Sequence, residues 1–183
     1  MNGQPVARDN YLKKLIAFRD SDVIKVVTGM RRCGKSTLLD MMRSYLAKDG
    51  VPTECLLSFR MESFDLEGIR DWRELYRYVV ERMPSSGKCY LFFDELQEVA
   101  SWEKAINALR VDKDCDIYIT GSNAFLLSSE IATLISGRYV EIRMHPLSFS
   151  EYLDFLGPTE ITSRYAVFGK EEITPIDELL DRY

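Results

Sequence analysis

The chain has 183 residues, 46% of them hydrophobic, and a formal net charge of −5. This length and apolar content suffice for one domain with a sizeable core. The acidic, mixed charge does not indicate a generally basic nucleic-acid-binding surface, so DNA contact is possible only through a local patch. No run of about 18 apolar residues occurs, and no signal-peptide core opens the chain. We therefore expect a cytoplasmic protein without a membrane span.

The first part of the chain contains a phosphate-binding motif. A helical pattern near residues 9–19 leads into a β-rich apolar stretch at 24–28. Residues 29–36 then read Gly-Met-Arg-Arg-Cys-Gly-Lys-Ser, which is the G-x-x-x-x-G-K-S pattern, and a new helical pattern begins near Lys35. A preceding strand and a following helix are the context that supports this motif. The sequence therefore predicts binding of a nucleoside triphosphate with magnesium.

The residue types of this loop suit a cluster of phosphate oxygens. Glycines let the backbone wrap closely, so that its N–H groups can converge on an anion, and the following helix adds the positive end of its dipole. Lys35 is expected to reach the β- and γ-phosphates, and the Ser36 hydroxyl to ligate magnesium. Arg31 and Arg32 either add positive charge near the phosphates or simply face water. The predicted nucleotide-binding residues are Gly29, Met30, Arg31, Arg32, Cys33, Gly34, Lys35, Ser36 and Thr37.

Two further elements precede the next motif. A second strand is predicted at 55–59, followed by a loop or short helix at 60–70. Asp71 is expected to cap the next helix, with Glu74 in the capping-box position. An apolar stripe between 72 and 83 indicates that this helix packs on the sheet.

A pair of carboxylates ends the third predicted strand. Residues 90–95 read Tyr-Leu-Phe-Phe-Asp-Glu, an apolar run typical of a strand buried on both faces. In open α/β sheets, ligands bind outside the carboxyl ends of the strands. Asp94 is therefore placed to hold magnesium directly or through water, and Glu95 to polarise an attacking water. Alone, such a strand end is equally typical of a solubilising terminus, and the upstream loop favours the functional interpretation.

The next strand also ends in polar residues. Ser101 is expected to cap a helix, after which residues 117–123 form a β-rich run that ends in small polar side chains. Ser122 or Asn123 could sense the γ-phosphate or orient the water, or could instead cap a helix near 128–136. The functional interpretation depends on the two preceding motifs.

An arginine opens the fifth predicted strand. Gly137 is typical of a helix end, and Arg138 precedes the strand at 139–144. Arg138 could stabilise transition-state charge at a γ-phosphate, in cis or on a neighbouring subunit, or could pair with a surface carboxylate. Ser148 and Glu151 form a further capping box. The predicted catalytic residues are Glu95, Lys35, Asn123 and Arg138, and the predicted metal ligands are Ser36 and Asp94.

Strand and helix patterns alternate along the whole chain. This alternation predicts an α/β fold with a parallel sheet covered by helices on both faces. The expected architecture is a three-layer P-loop NTPase with a five-stranded parallel sheet between helices.

Several segments recur together in a known family. They are Arg8-x-x-Tyr11-Leu12, residues 27–37, Phe93-Asp94-Glu95-Leu96-Gln97, Thr120-Gly121-Ser122-Asn123, Ser136-Gly137-Arg138 and Pro146-Leu147-Ser148-Phe149. This set resembles a group of bacterial and archaeal AAA+-type ATPases, in which an N-terminal ATPase domain is usually followed by a C-terminal domain of unknown function. The resemblance implies Walker A at 29–36, Walker B at Asp94, a catalytic Glu95 and a sensor at Ser122 or Asn123. It also implies that the sensor strand lies between the phosphate-loop and Walker B strands.

The resemblance also suggests how the chain is organised. Residues 1–156 are expected to form the ATPase domain with its N-terminal helix, and residues 157–183 a partial C-terminal helical extension. Because members of the family are longer, we expect this chain to be a truncated product or a fragment that lacks the lid and the partner domain. Its expected partners are ATP and either further copies of the chain or another protein.

Three functions compete at this point. The leading one is an ATPase that acts as a switch or motor, with ATP preferred over GTP by resemblance. The second is a nucleotide-dependent binding module, possibly DNA-associated, that hydrolyses little. The third is a small-molecule kinase, which would need an arginine-rich lid; no arginine cluster follows the strand of Asp94.

Overall fold

A computed structural model describes residues 8–63, 68–122, 138–149 and 151–152. Within these ranges the strands are β1 (Ile24–Gly29), β2 (Leu56–Arg60), β3 (Cys89–Asp94), β4 (Cys115–Ser122) and β5 (Tyr139–Met144). The α-helices are α1 (Asp9–Ala17), α2 (Lys35–Lys48), α3 (Trp72–Val80) and α4 (Trp102–Asp112). Short 3₁₀ turns occupy Thr53–Cys55 and Leu96–Glu98.

The strands form one sheet in the order β2-β3-β4-β1-β5, and all of its pairings are parallel. This confirms the predicted five-stranded parallel sheet. The polar-ended strand β4 lies between β1 and β3, as the family resemblance implied. Because parallel strands share one direction, the carboxyl ends of β1, β3 and β4 meet at the same edge.

Helices cover both faces of the sheet. The face of α1 and α2 buries Leu15, Leu38 and Met42 against Val27 and Phe92. The opposite face buries side chains of α3 and α4 against β3 and β4; these are Leu75, Val79, Ile106, Leu91, Phe93 and Ile119. Successive side chains of a strand point to opposite faces, so a strand that is covered twice must be apolar throughout. Strand β3 is an uninterrupted apolar run because helices cover it on both faces.

Two predicted helix starts are confirmed. The Asp71 carboxylate accepts hydrogen bonds from the Arg73 and Glu74 amides at 2.7 and 3.1 Å. The Glu74 carboxylate reaches back to the Arg70 amide, one residue before the expected Asp71. Ser148 and Glu151 form the reciprocal pair in full, with Ser148 N donating to Glu151 Oε2 at 2.7 Å and Glu151 N donating to Ser148 Oγ at 3.3 Å.

Other boundaries differ from the prediction. Strand β2 begins one residue later than expected because Cys55 belongs to a 3₁₀ turn, and α3 ends at Val80 rather than near Met83. Ser101 precedes α4, but its side chain makes no capping hydrogen bond. A capping serine needs extended backbone angles, whereas Ser101 is left-handed with φ 55°. The expected helix at 128–136 and the extension at 157–183 lie outside the described residues.

Candidate nucleotide site

Close packing at the end of β1 explains its glycine. A Cβ built on Gly29 would lie 2.6 Å from the Met144 carbonyl oxygen and 2.7 Å from Cys33 Sγ, so a larger residue would displace backbone. At the other end of the loop, Gly34 takes a left-handed conformation with φ 93°, which glycine adopts without strain. The chain thereby turns from β1 into α2 within a few residues.

Lys35, the first residue of α2, points into the mouth of this loop. Its side chain is only 4% exposed. The ammonium donates to the carbonyl oxygens of Gly29 and Met30 at 3.3 and 3.2 Å, and it lies 3.6 Å from Glu95 Oε1. These contacts hold the charge beside the loop and leave it weakly paired.

The Asp94 carboxylate accepts hydrogen bonds from hydroxyl groups of two other elements. Its Oδ1 accepts hydrogen bonds from Ser36 Oγ at 3.0 Å and from Thr120 Oγ1 at 2.5 Å. Ser36 belongs to α2, Asp94 ends β3 and Thr120 belongs to β4. The fold thus brings oxygen atoms from three elements to one point beside the loop.

Glu95 follows directly and takes an unusual backbone conformation. Its φ of 56° is left-handed, a conformation that a non-glycine residue adopts at a cost of about 1 kcal/mol or more. Its amide donates to Thr120 Oγ1 at 3.0 Å, and its Oε2 accepts from Gln97 Nε2 at 2.5 Å. Thr120 and Gln97 therefore hold the backbone and the carboxylate of Glu95 in place, with Oε1 facing Lys35.

Arg8 ties the loop to distant parts of the chain. The residue is 7% exposed, and its guanidinium donates to Cys33 O in the loop at 3.0 Å and to His145 O at 2.8 Å. Its Nε also lies 3.1 Å from Glu151 Oε1. The sequence motif includes Arg8 but predicts no contact for it, because its partners are 25 to 143 residues away.

The remaining loop residues divide by exposure. Cys33 is buried, whereas Met30 is 66% exposed and Arg31, Arg32 and Thr37 face solvent. Among the described residues, Arg31 and Arg32 make no ion pair. Both arginines are therefore free to approach an anion or to remain hydrated.

Arg138 lies far from this site, which corrects one option of the prediction. Its carbonyl accepts a hydrogen bond from Ile24 N, at the amino end of β1. The phosphate loop follows the carboxyl end of that strand, which is about 16 Å away at 3.3 Å per residue. A role of Arg138 in cis is therefore wrong, because its side chain cannot span the sheet.

The two predicted sensor residues stand at and beyond the end of β4. Asn123 lies outside the described residues, and Ser122 is described only as the last residue of β4. The hydroxyl of this segment that reaches Asp94 is that of Thr120. The signal was present in the sequence as a run of small polar residues, but which of them faces β3 depends on the register.

Two further properties concern metals and membranes. Over residues 8–63, 68–122, 138–149 and 151–152, no cluster of three or more His, Cys, Asp or Glu side chains could hold a metal ion. Every helix in the same ranges is too short or too polar to traverse a lipid bilayer.

The doubly covered parallel sheet and its glycine loop define the class of P-loop nucleotide-binding domains. Residues 21–153 match the AAA domain family. The chain therefore belongs to the AAA domain family, and the predicted AAA+ P-loop relationship is confirmed.

Two relatives share much of this sequence. An uncharacterized protein of Haemophilus influenzae is 50% identical over 154 residues, which are 84% of this chain and 38% of that protein. An uncharacterized protein of Methanocaldococcus jannaschii is 33% identical over 150 residues, 82% of this chain and 32% of that protein. The chain thus spans 38% and 32% of the length of these two relatives.

Solved structures share the fold at low sequence identity. Hsp104, solved in a closed state with ATPγS and casein, superposes with a TM-score of 0.59 at 17% identity over 90% of this chain and 31% of Hsp104. A DNA polymerase III gamma-subunit-related protein of Thermotoga maritima gives 0.58 at 11% identity, with coverages of 92% and 57%. The RuvB Holliday junction branch migration motor of Thermotoga maritima gives 0.54 at 15% identity, with coverages of 88% and 52%.

Proposed function

We propose that this AAA domain binds ATP with magnesium, hydrolyses it, and acts as a switch or motor. The observation that carries the proposal is the convergence of Lys35, Ser36, Asp94 and Glu95 at one edge of the sheet. No other part of the described chain combines a glycine loop, a buried ammonium and adjacent carboxylates.

The contacts of Lys35 support binding of an anion. Its ammonium has two long hydrogen bonds to carbonyl oxygens and a carboxylate beyond hydrogen-bond distance. Phosphate oxygens are stronger acceptors for an ammonium than neutral carbonyl oxygens. The loop amides and the N-terminal end of α2 add further favourable electrostatics. Gly29 to Thr37 are thus the proposed nucleotide-binding residues.

Ser36 and Asp94 fit magnesium by the chemistry of their donor atoms. Magnesium prefers oxygen ligands, keeps several waters, and is usually held by one or two protein groups together with phosphates. When bound, it would neutralise charge that develops on the phosphoryl oxygens. Ser36 Oγ and Asp94 Oδ1 lie 3.0 Å apart, so both can contribute to one site after the hydrogen bond between them opens.

Glu95 is the proposed catalytic base. A base must hold its carboxylate within hydrogen-bond reach of the attacking water. Gln97 fixes one carboxylate oxygen and leaves the other beside Lys35, where the γ-phosphate would be bound. Removal of a proton from water by Glu95 would direct the resulting lone pair at the phosphorus, with ADP as the leaving group.

Two predicted residues complete the proposal from outside this cluster. Asn123, or Ser122, would sense the γ-phosphate from the end of β4. Arg138 would act in trans on a neighbouring copy. It lies at the amino ends of the strands, whereas the phosphate loop of its own chain lies at their carboxyl ends. Oligomerisation would therefore raise turnover, and residues 1–156 would form the ATPase domain with residues 157–183 beginning a helical extension toward an effector.

A nucleotide-dependent binding module is the second candidate. The observation that favours it is the engagement of Glu95 by both Gln97 and Lys35, which would restrain the base unless nucleotide binding releases it. Such a module would bind ATP and turn over little.

Phosphate release from ATP and magnesium, with and without DNA, tests the proposal. We expect steady release by the wild-type chain, loss of release in Glu95→Gln with ATP binding retained, and normal release in the control Glu98→Gln, whose side chain is exposed nearby. Unchanged turnover in Glu95→Gln would contradict the assignment. Binding without turnover in the wild type would favour the module, and formation of ADP only with an added metabolite, without free phosphate, would favour a kinase.

A further inference from the structure

Strand β2 forms one edge of the sheet. Within the part of the chain that the structure describes, it pairs with β3 and with no strand on its other side. An unpaired edge presents a row of backbone donors and acceptors that can accept another strand. Proteins usually cover such an edge or place charges along it.

A polar groove of about 430 Å³ surrounds this edge. Arg43 of α2 lines it on the sheet face toward which Ser58 and Arg60 point. Tyr78 and Arg82 of the α3 region line it from the opposite face. The groove therefore follows the strand edge with arginines on both flanks.

The positive charge of the groove is only partly neutralised. Arg60 pairs with Asp40 at 2.8 Å, whereas Arg43 makes no ion pair with any described residue. Arg82 stacks on the Tyr78 ring, with its Cζ 3.4 Å from the ring centroid, and donates to Tyr78 O. This stacking orients the guanidinium in advance, which lowers the entropy lost on binding. The groove thus holds three arginines, of which only Arg60 makes an ion pair with a described residue, in a protein of net charge −5.

The aromatic side of the groove is also held in place. The Tyr78 ring packs edge-on against Phe59, with centroids 6.0 Å apart, and Phe59 stacks on Phe93 of the core at 5.1 Å. The floor beside the strand edge is therefore rigid and partly apolar. A rigid floor with charged flanks favours an extended ligand over a compact one.

We propose that the β2 edge binds an acidic, extended peptide segment of a partner protein, which adds a strand to the sheet. A nucleic acid could neutralise the arginines, but its phosphates offer only acceptors, whereas the edge alternates donors with acceptors. A peptide strand supplies both, and pockets for alternate side chains supply specificity. Carboxylates at every second position would face Arg43 and Arg60, and the intervening positions would place β-branched or aromatic residues against Tyr78.

Fluorescence anisotropy with synthetic probes tests this surface. The probe is a labelled heptapeptide of alternating glutamate and valine, titrated with the 183-residue chain at low and moderate salt. The controls are the same peptide with lysine for glutamate, a version N-methylated on the residues that would donate to the edge, and a short oligothymidylate. We expect binding of the acidic peptide alone, weakened by salt.

Variants locate the binding. Arg43→Glu and Arg82→Glu are each expected to lower the affinity for the peptide about tenfold. Arg77→Glu is the matched control, since it makes the same charge change on α3 outside the groove and should leave affinity within about twofold. Urea unfolding midpoints of all three verify that the fold is retained. This readout does not depend on nucleotide binding or hydrolysis.

Three results would overturn the proposal. Equal binding of the N-methylated peptide would exclude strand addition. Tighter, arginine-dependent binding of oligothymidylate would assign the groove to single-stranded nucleic acid. Absence of peptide binding at low salt would mean that the arginines only protect the edge against association.

Discussion

The Thr120 hydroxyl donates a 2.5 Å hydrogen bond to Asp94 Oδ1, the same oxygen that accepts from Ser36. Thr120 also accepts from the Glu95 amide at 3.0 Å and is fully buried. One side chain of β4 thus orients the proposed magnesium ligand and the backbone of the proposed base. The position of Asp94 therefore depends on β4 and α2 as well as on its own strand.

Replacing Thr120 by valine should weaken the response to magnesium. Valine keeps the shape but removes the donor to Asp94 and the acceptor for Glu95, so we expect the magnesium concentration for half-maximal turnover to rise about tenfold. The buried unpaired groups should also lower the free energy of unfolding by about 1–3 kcal/mol. Thr120→Ser is the control, since it retains the hydroxyl and should behave nearly as wild type. Equal magnesium titrations for both variants would contradict this role.

Glu151 should make stability depend on acid pH. Burial acts to raise the pKa of this carboxyl, but hydrogen bonds from the Ser148 amide and Arg8 outweigh burial and hold the pKa below its ordinary value of 4.5. Its contribution is therefore fully present above pH 4.5 and is lost as the pH falls through the lower folded value. Urea unfolding should show wild type about 1–2 kcal/mol more stable than Glu151→Gln at pH 7, with the difference vanishing in acid. A stability difference between wild type and Glu151→Gln that does not change with pH would contradict this role of the Glu151 carboxylate.

The buried pair of Lys25 and Asp116 should stabilise the sheet at the amino ends of its strands, opposite the phosphate loop. The two side chains are 0% and 1% exposed and hydrogen-bonded to each other. Desolvation lowers the pKa of Lys25 despite this partner. Asp116→Ala leaves the ammonium unpaired, so we expect the free energy of unfolding to fall by about 3–5 kcal/mol.

The pH dependence and a double variant distinguish this cause. A lysine whose folded pKa is lowered binds fewer protons in the folded state than in the unfolded state, so the stability of Asp116→Ala should rise as pH approaches 10.5. Lys25→Met with Asp116→Leu should recover part of the lost stability, because it removes the unpaired ammonium. The recovery should be incomplete, because the Tyr118 hydroxyl and the Asp20 amide also lose Asp116 as their acceptor. A double variant as unstable as the single one would contradict an electrostatic cause.

The local elements were predictable because each depends on nearby residues. The apolar run before Asp94 identifies a strand covered on both faces, and the glycines at 29 and 34 identify a tight loop. Strand order required the family resemblance, since linear sequence does not say that β4 inserts between β1 and β3. The choice between a cis and a trans role for Arg138 stayed open for the same reason, because only the sheet shows at which end of the strands the residue lies.

The finer contacts were not predictable from the chain alone. The polar end of β4 predicted a sensor at Ser122 or Asn123 and no role for Thr120. The register pairs Phe93 with Ile119, which sets the Thr120 hydroxyl beside Asp94. Arg8 joins groups separated by up to 143 residues, a distance at which sequence spacing carries no geometry. Ser101 has a capping side chain but the wrong backbone conformation, and its identity alone could not reveal this.

Equilibrium binding of ATP with magnesium, measured by calorimetry, tests the nucleotide site most directly. Lys35→Ala removes the ammonium at the loop mouth, and Lys48→Ala removes one from the exposed far end of the same helix. We predict that Lys35→Ala lowers the affinity for ATP at least about 100-fold with an unchanged unfolding midpoint. The Lys48→Ala variant should bind ATP as the wild type does. Unchanged ATP affinity in Lys35→Ala would contradict the site.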